Sequence, residues 1–364
     1  MLVRRGTSRP PENFSRMKLC SAAKVCFAIA AGLLAVSVAA PALAKKPPPP
    51  IIYPPPMPPP MPEVGLGSHF INDAAAYETY VTQASAISPA FTDAQDVSDA
   101  LRVGVAYEPG QLRRGAIAYA AAAALVDNTF VDDVRKAGAT PEARYAIVAK
   151  LFADPKNVLS FVDARGAAAL AKAALAQSGM KVFDAGDRVR LAAYSIQHQP
   201  WSLTPVTDLD GRAAAVKQLS SAVRQPSGQA HTDVDRMILG EPATPPMAAP
   251  PPYSALVIRA VALAALASIG QAKDDDAPHL GWLTDDYYLD HCLAEAKLSL
   301  YECIAVAKPN YEDVFCLGQH ALKDTGGCVV KSAWSTVPVD IMTHDMTIPA
   351  AKMKKTPVRK RRKA

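Results

Sequence analysis

Four cysteines, Cys292, Cys303, Cys316 and Cys328, lie within 37 residues of one another. No CxxC pair occurs among them. In an exported chain, an even and clustered set reads as two disulfides, so the chemistry expected here is cross-linking. A second group is rich in ligand-type side chains: Asp274, Asp275, Asp276, His279, Asp285, Asp286, Asp290 and His291. Oxygen donors at that density suit Ca²⁺ or Mg²⁺, and the histidines would admit Zn²⁺. A solvated acidic loop followed by a negatively charged helix start accounts for the same residues without a metal, and no metal site is assigned. Tyr194, His198 and Trp201 crowd one helix end with Gln197 and Gln199. They form a speculative ligand pocket, and His198 is a possible general base, although an interhelical contact is the plainer expectation. Asp208-x-Asp210-Gly211 opens like a calcium loop, but the downstream ligands are missing, and a helix cap before Arg212 explains it better. HExxH, GxSxG, P-loop and EF-hand patterns are all absent. No catalytic residue and no cofactor is therefore assigned.

The cysteines need elements to position them. Thr284 can cap a helix over 285–307 whose first turn carries Asp285 and Asp286, a favourable charge at a helix N-terminus. Lys308-Pro309-Asn310 ends that helix and begins another, with Asn310 as N-cap and Asp313 three residues on. Cys292 and Cys303 share a face of the first helix but lie roughly 16 Å apart along it. A disulfide needs Cα atoms within about 7 Å, so the two cannot bond to each other on an intact helix. Folding the second helix back at Pro309 sets Cys303 opposite Cys316 and Cys292 opposite Cys328, which favours the nested pairing. Two features complicate it: Cys316 lies off the apolar stripe of its helix, and Gly326-Gly327 is expected to break that helix before Cys328. The arrangement resembles the twin-cysteine hairpins of coiled-coil-helix-coiled-coil-helix proteins. The likeness covers only the hairpin, and the ten and eleven residues between cysteines here depart from that family's regular nine. The resemblance implies a geometry and nothing functional.

The rest of the chain reads as helix too. Alanine runs such as 120–124 and 167–174 favour helix on propensity. Thr140-Pro141-Glu142 and Asp154-Pro155 each set a capping side chain before an N1 proline, and Gly138, Gly179 and Gly270 read as stops. Helices are expected near 68–87, 93–105, 110–127, 129–137, 141–153, 156–178, 182–198, 211–224 and 230–239, then over 253–269. The fold class expected is all-α, a multi-helix bundle or irregular helical array with a C-terminal disulfide-linked hairpin.

The two ends carry address information. After Met17, Lys18 and Lys24 precede the apolar stretch Val25–Ala40, and Ala42-Leu43-Ala44 forms a small-x-small cleavage site. The apolar stretch is shorter than the roughly 20 residues that span a bilayer, so a cleaved signal peptide over 1–44 is expected, with no transmembrane anchor after processing. Residues 45–67 form a proline-rich spacer of polyproline II character, 68–239 an Ala-rich helical region, 240–252 a Pro-rich linker and 253–335 a helical region with the cysteine hairpin. Residues 336–364 end in a disordered basic tail, with eight Lys or Arg in the last thirteen positions. Six of the 39 basic and one of the 34 acidic residues fall before Lys45, leaving 33 of each. Since eight of those bases are in the tail, residues 45–351 carry −8. A body of that charge is not a nucleic-acid binder by its own field. The partner expected is an anionic envelope surface met by the tail. The function read is that of an exported, non-enzymatic helical protein of the bacterial cell envelope, periplasmic or secreted, with a structural or binding role. The alternative is a periplasmic hydrolase acting on cell-wall polymer, with Glu295, Glu302 and His198 as candidate acids and bases.

Overall fold

The structure, a computed structural model, describes residues 60–239 and 251–335. The leader, most of the proline-rich spacer, nearly all of the 240–252 linker and the basic tail lie outside the described residues. No β-strand occurs among the described residues, and a lone antiparallel bridge joins Pro205 to Pro309. The chain is all-α. Its helices are α1 (Ser68–Ser85), α2 (Ala94–Val105), α3 (Pro109–Ala124), α4 (Asn128–Ala137), α5 (Pro141–Ala153), α6 (Ala164–Ile196), α7 (Leu209–Ser221) and α8 (Gly228–Leu239). After the linker come α9 (Ala255–Ser268), the short α10 (Ala277–Leu280), α11 (Tyr287–Val306), α12 (Asn310–Cys316) and α13 (Thr325–Ala333).

Local chemistry explains most of the starts. Asp93, Thr140 and Asp208 each accept a hydrogen bond from the backbone N–H three residues on, and Asp154 accepts from Lys156. These contacts satisfy donors that a helix N-terminus leaves orphaned. α9 shows why alanine-rich text becomes a core: every residue from Leu256 to Ser268 is buried except Arg259. A helix apolar on all sides belongs inside a protein, and Arg259 escapes by donating to the Trp282 carbonyl at 2.5 Å. α3, buried along Ala120–Ala124, packs against α1, α6 and α9. Helices from both sides of the linker thus contribute to one continuous hydrophobic cluster. No helix among the described residues is long and apolar enough to cross a membrane.

Several expectations are corrected. Helices were expected over 156–178 and 182–198 with a stop at Gly179; instead a 3₁₀ turn over Pro155–Ser160 leads into a single 33-residue helix, α6. Gly179 and Gly186 lie in its interior at the closest approach to the C-terminal hairpin. A methyl group on Gly179 would meet the Val330 backbone N at 2.9 Å, and one on Gly186 would strike the backbone of Gly318 and Lys323. Glycine serves there to let two helix backbones touch. Gly270 does act as a stop, with φ +71°, the left-handed conformation that glycine adopts without penalty.

The second arm of the hairpin also differs. Gly326-Gly327 does not break it: α12 runs through a π-helical segment, Leu317–Asp324, directly into α13. This segment resolves the misaligned cysteine. Cys292 and Cys303 are eleven residues apart, about three α-helical turns, and so share a face. Cys316 and Cys328 are twelve apart, which in an α-helix would leave them about 120° out of register. The wider π turns rotate less per residue and absorb the additional one. Cys292 is bonded to Cys328 and Cys303 to Cys316, each with Cα atoms 5.7 Å apart.

Candidate functional site

A cleft of about 490 Å³ opens between α2 and α7 and is closed at its base by the start of α12. Each wall is one face of a capped helix. On α2 the face comprises Ala94, Val97, Ser98, Leu101 and Arg102, at helical spacing. Asp93 accepts from the Asp96 N–H, while Asp96 accepts from the Thr92 N–H and hydroxyl, so the start of α2 is locked from both sides. On α7 the face is Gly211, Arg212, Ala215, Val216 and Leu219, beginning at the Asp208 cap. The loop before α7 completes the rim, and it is tied to the hairpin turn by Val206 N–H donating to the Lys308 carbonyl and Tyr311 N–H donating to the Ser202 carbonyl.

At the base, Arg212 and Asp313 form an ion pair. One terminal nitrogen of Arg212 lies 2.6 Å from each Asp313 oxygen. The other donates to the carbonyls of Ile304 and Ala307 at 2.6 and 3.0 Å. A cation thus sits on the orphan carbonyls that end α11, and an anion sits in the first turn of α12, both favourable to the helix dipoles. The Asp313 side chain is only 3% exposed. Loss of hydration at that site pushes its carboxyl up to about 6, against the opposing pull of Arg212. Arg212 Nε is buried and donates to no protein group. Asn310, expected as the cap of α12, is instead its first residue and uses its amide to donate to the carbonyls of Trp201 and Thr204.

The residues singled out from sequence are spread over several places. Tyr194 lines a smaller cleft of about 360 Å³ beside the Cys303–Cys316 bond, with Tyr311 and Phe315. His198 and Trp201 do not line that cleft. His198 is exposed, and Trp201 packs partly against the core with its indole N–H on Gln199. Glu302 is exposed, and Glu295 lies 3.2 Å from His291 on the outer face of α11. The acidic cluster is divided among structural tasks. Asp274 accepts from Ser68 and the His69 N–H at the start of α1, while Asp276 accepts from the Lys273 N–H. Asp285 and Asp290 flank Arg113, and Asp286 rather than Thr284 caps α11. Among the described residues no three metal-ligating side chains gather where they could hold an ion.

Lys297, which sequence reading passed over, is buried on α11. Its ammonium donates to the Val105 carbonyl at 2.6 Å and lies 3.4 Å from the centre of the Tyr107 ring. Burial, with the nearby Arg224 charge, holds its pKa well below the ordinary lysine range. Tyr107 in turn shares a 2.7 Å hydrogen bond with Thr325, so this buried group serves to join α11, α2 and α13. The cleft was missed as well. A helix near 93–105 and a cap before Arg212 were legible, but nothing local announces that Arg212 meets an aspartate 101 residues away. No protein family, curated protein or solved structure matches this chain.

Proposed function

We propose that this chain is an exported, non-enzymatic helical protein of the bacterial cell envelope, with a structural or binding role. The observation that carries the reading is the pair of nested disulfides across the α11–α13 hairpin. Such bonds persist in oxidising compartments and are rare in reducing ones. The leader-like residues Val25–Ala44 support the same address, with Lys45 as the mature N-terminus. The proline-rich segment is the spacer in this reading, and the basic tail is its contact with an anionic surface. The exposure of Glu302 and His198, and the engagement of Glu295 with His291, leave the hydrolase alternative without a converging acid–base pair. We assign the binding role to the α2–α7 cleft, because it combines apolar walls with a few convergent polar groups.

The experiment is fractionation of cells expressing the whole chain, followed by N-terminal sequencing and thiol labelling without reductant. Protein in the periplasmic or secreted fraction, starting at Lys45 and taking up no label, is expected. Retention of Val25–Ala40, or stoichiometric labelling of the four hairpin cysteines, would overturn the reading.

A further inference from the structure

We infer that the α2–α7 cleft takes an uncharged amphiphile: a molecule with an apolar body and a hydrogen-bond-accepting head. This rests on the reading of that cleft as a binding site and names its ligand class. The size is right for a small molecule, since about 490 Å³ lies inside the usual range of roughly 300–1,000 Å³. The body is set by Val97, Leu101, Val216 and Leu219, with the small Ala94 and Ala215 leaving room between the helices.

The charged groups in the lining decide the head. There are two cations, Arg102 and Arg212, and two anions, Asp208 and Asp313. Arg212 and Asp313 neutralise each other at the base. Asp208 is engaged in capping α7. Arg102 is 65% exposed and stands 3.6 Å from Asp99, so solvent and a neighbour already screen it. A carboxylate or ammonium entering the cleft would lose hydration without gaining an uncommitted buried counter-charge. The hydrogen-bonding groups left for a ligand are neutral: the hydroxyls of Ser98 and Thr207 line the cleft, whereas Arg212 Nε, though without a protein acceptor, is closed off from it. A hydroxyl can donate to an uncharged oxygen without the desolvation cost of bringing in a charge. Apolar walls, a self-neutralised base and neutral hydroxyl donors together select an uncharged molecule bearing a carbonyl or hydroxyl oxygen.

The test uses the mature chain from Lys45 with both disulfides intact. The probe is N-phenyl-1-naphthylamine, an uncharged fluorophore, displaced by three amphiphiles of equal chain length: a monoacylglycerol, a fatty acid and an alkylamine, each below its micelle concentration. Saturable probe binding is expected, with the monoacylglycerol displacing it at about tenfold lower concentration than either charged competitor. Ala94→Trp and Ala215→Trp, both at exposed helix positions, should plug the cleft and abolish binding while leaving the melting temperature near that of the unmodified protein. Should either variant fail to fold, the other carries the test. Displacement by the fatty acid or the alkylamine at equal or lower concentration would overturn the ligand class and leave the cleft as a site. Absence of saturable binding, or undiminished binding by the folded tryptophan variants, would overturn the cleft reading itself. Neither result bears on export, which fractionation tests separately.

Discussion

At the scale of single residues, the Arg212–Asp313 pair concentrates several demands on two side chains. It closes the cleft base, ends α11 and starts α12. Its cost is a carboxylate taken out of water, and the direction of the resulting pH dependence follows from that. Burial raises the Asp313 pKa from 3.8 to about 6, so the folded protein holds this proton more tightly than the unfolded chain does. The contribution of Asp313 to stability is therefore greatest below the unfolded pKa, declines as pH rises toward about 6 and is flat beyond. A shift of that size corresponds to about 3 kcal/mol. Asp313→Asn removes the titrating group. Urea unfolding of both proteins at pH 4 and pH 7 should show the variant less stable than the unmodified protein by about 2 kcal/mol more at pH 4 than at pH 7, the full shift being expressed only at still lower pH. A difference independent of pH would mean that Asp313 titrates as an ordinary carboxyl.

Between elements, the decisive contact is α6 against the second arm of the hairpin, where glycine meets backbone on both sides. Gly318 lies against the backbone of Arg190 and Gly186, and Gly326 against that of Gly179 and Phe183. In an unpacked helix, glycine to alanine gains roughly 1 kcal/mol. Here the added methyl has no space, and separating two packed helices costs about 1–3 kcal/mol. Gly318→Ala should therefore lower the denaturation midpoint, whereas Gly228→Ala, where a methyl would meet nothing, should not. Equal effects at the two sites would remove the close-packing account. The disulfides act on the same arms but through the unfolded chain. Their sequence separations are 36 for Cys292–Cys328 and 13 for Cys303–Cys316. Loop entropy then assigns about 4 kcal/mol to the outer bond and about 3 kcal/mol to the inner. Replacing Cys292 and Cys328 by serine should cost about 1 kcal/mol more than replacing Cys303 and Cys316, as judged by urea titration. The reverse order would show that the inner bond holds native packing at the turn rather than only constraining the unfolded state.

For the whole molecule, charge is the quantity that the separate helices do not reveal. The −8 of residues 45–351 and the +8 of the last thirteen residues cancel only on average. Near an anionic membrane surface, each basic residue is worth about 1 kcal/mol, and salt screens that attraction. A chain starting at Lys45 should bind anionic vesicles at low salt and release them at high salt, and the same chain truncated after Ala351 should bind weakly at both. Equal binding by the two proteins would leave the tail without its proposed partner. At the other end, Pro62 accepts from Arg135 through its carbonyl, and Gly67 N–H donates to the Ala272 carbonyl. The last residues of the proline-rich stretch are thereby fixed to the helical body before α1 begins.

By itself, the sequence determined whatever is decided within one or two helical turns. The all-α class follows from propensity. The starts at Thr140, Asp154 and Asp208 follow from side chains that reach donors two or three residues away. The nested cysteine pairing follows from two arms of nearly equal length about Pro309. Tertiary structure decided whatever depends on partners far along the chain. Gly179 was read as a stop, wrongly, because a glycine that ends a helix and one that admits a neighbouring backbone look the same in sequence; only the approach of Val330 distinguishes them. Asn310 looked like a cap, but the carbonyls of Trp201 and Thr204 drew its amide away. The π turns carry no local signature and are legible only as the odd residue between Cys316 and Cys328. The cleft belongs to the same group: its walls were expected as helices near 93–105 and 211–224, but their meeting, with Arg212 on Asp313 between them, is a product of packing across 101 residues.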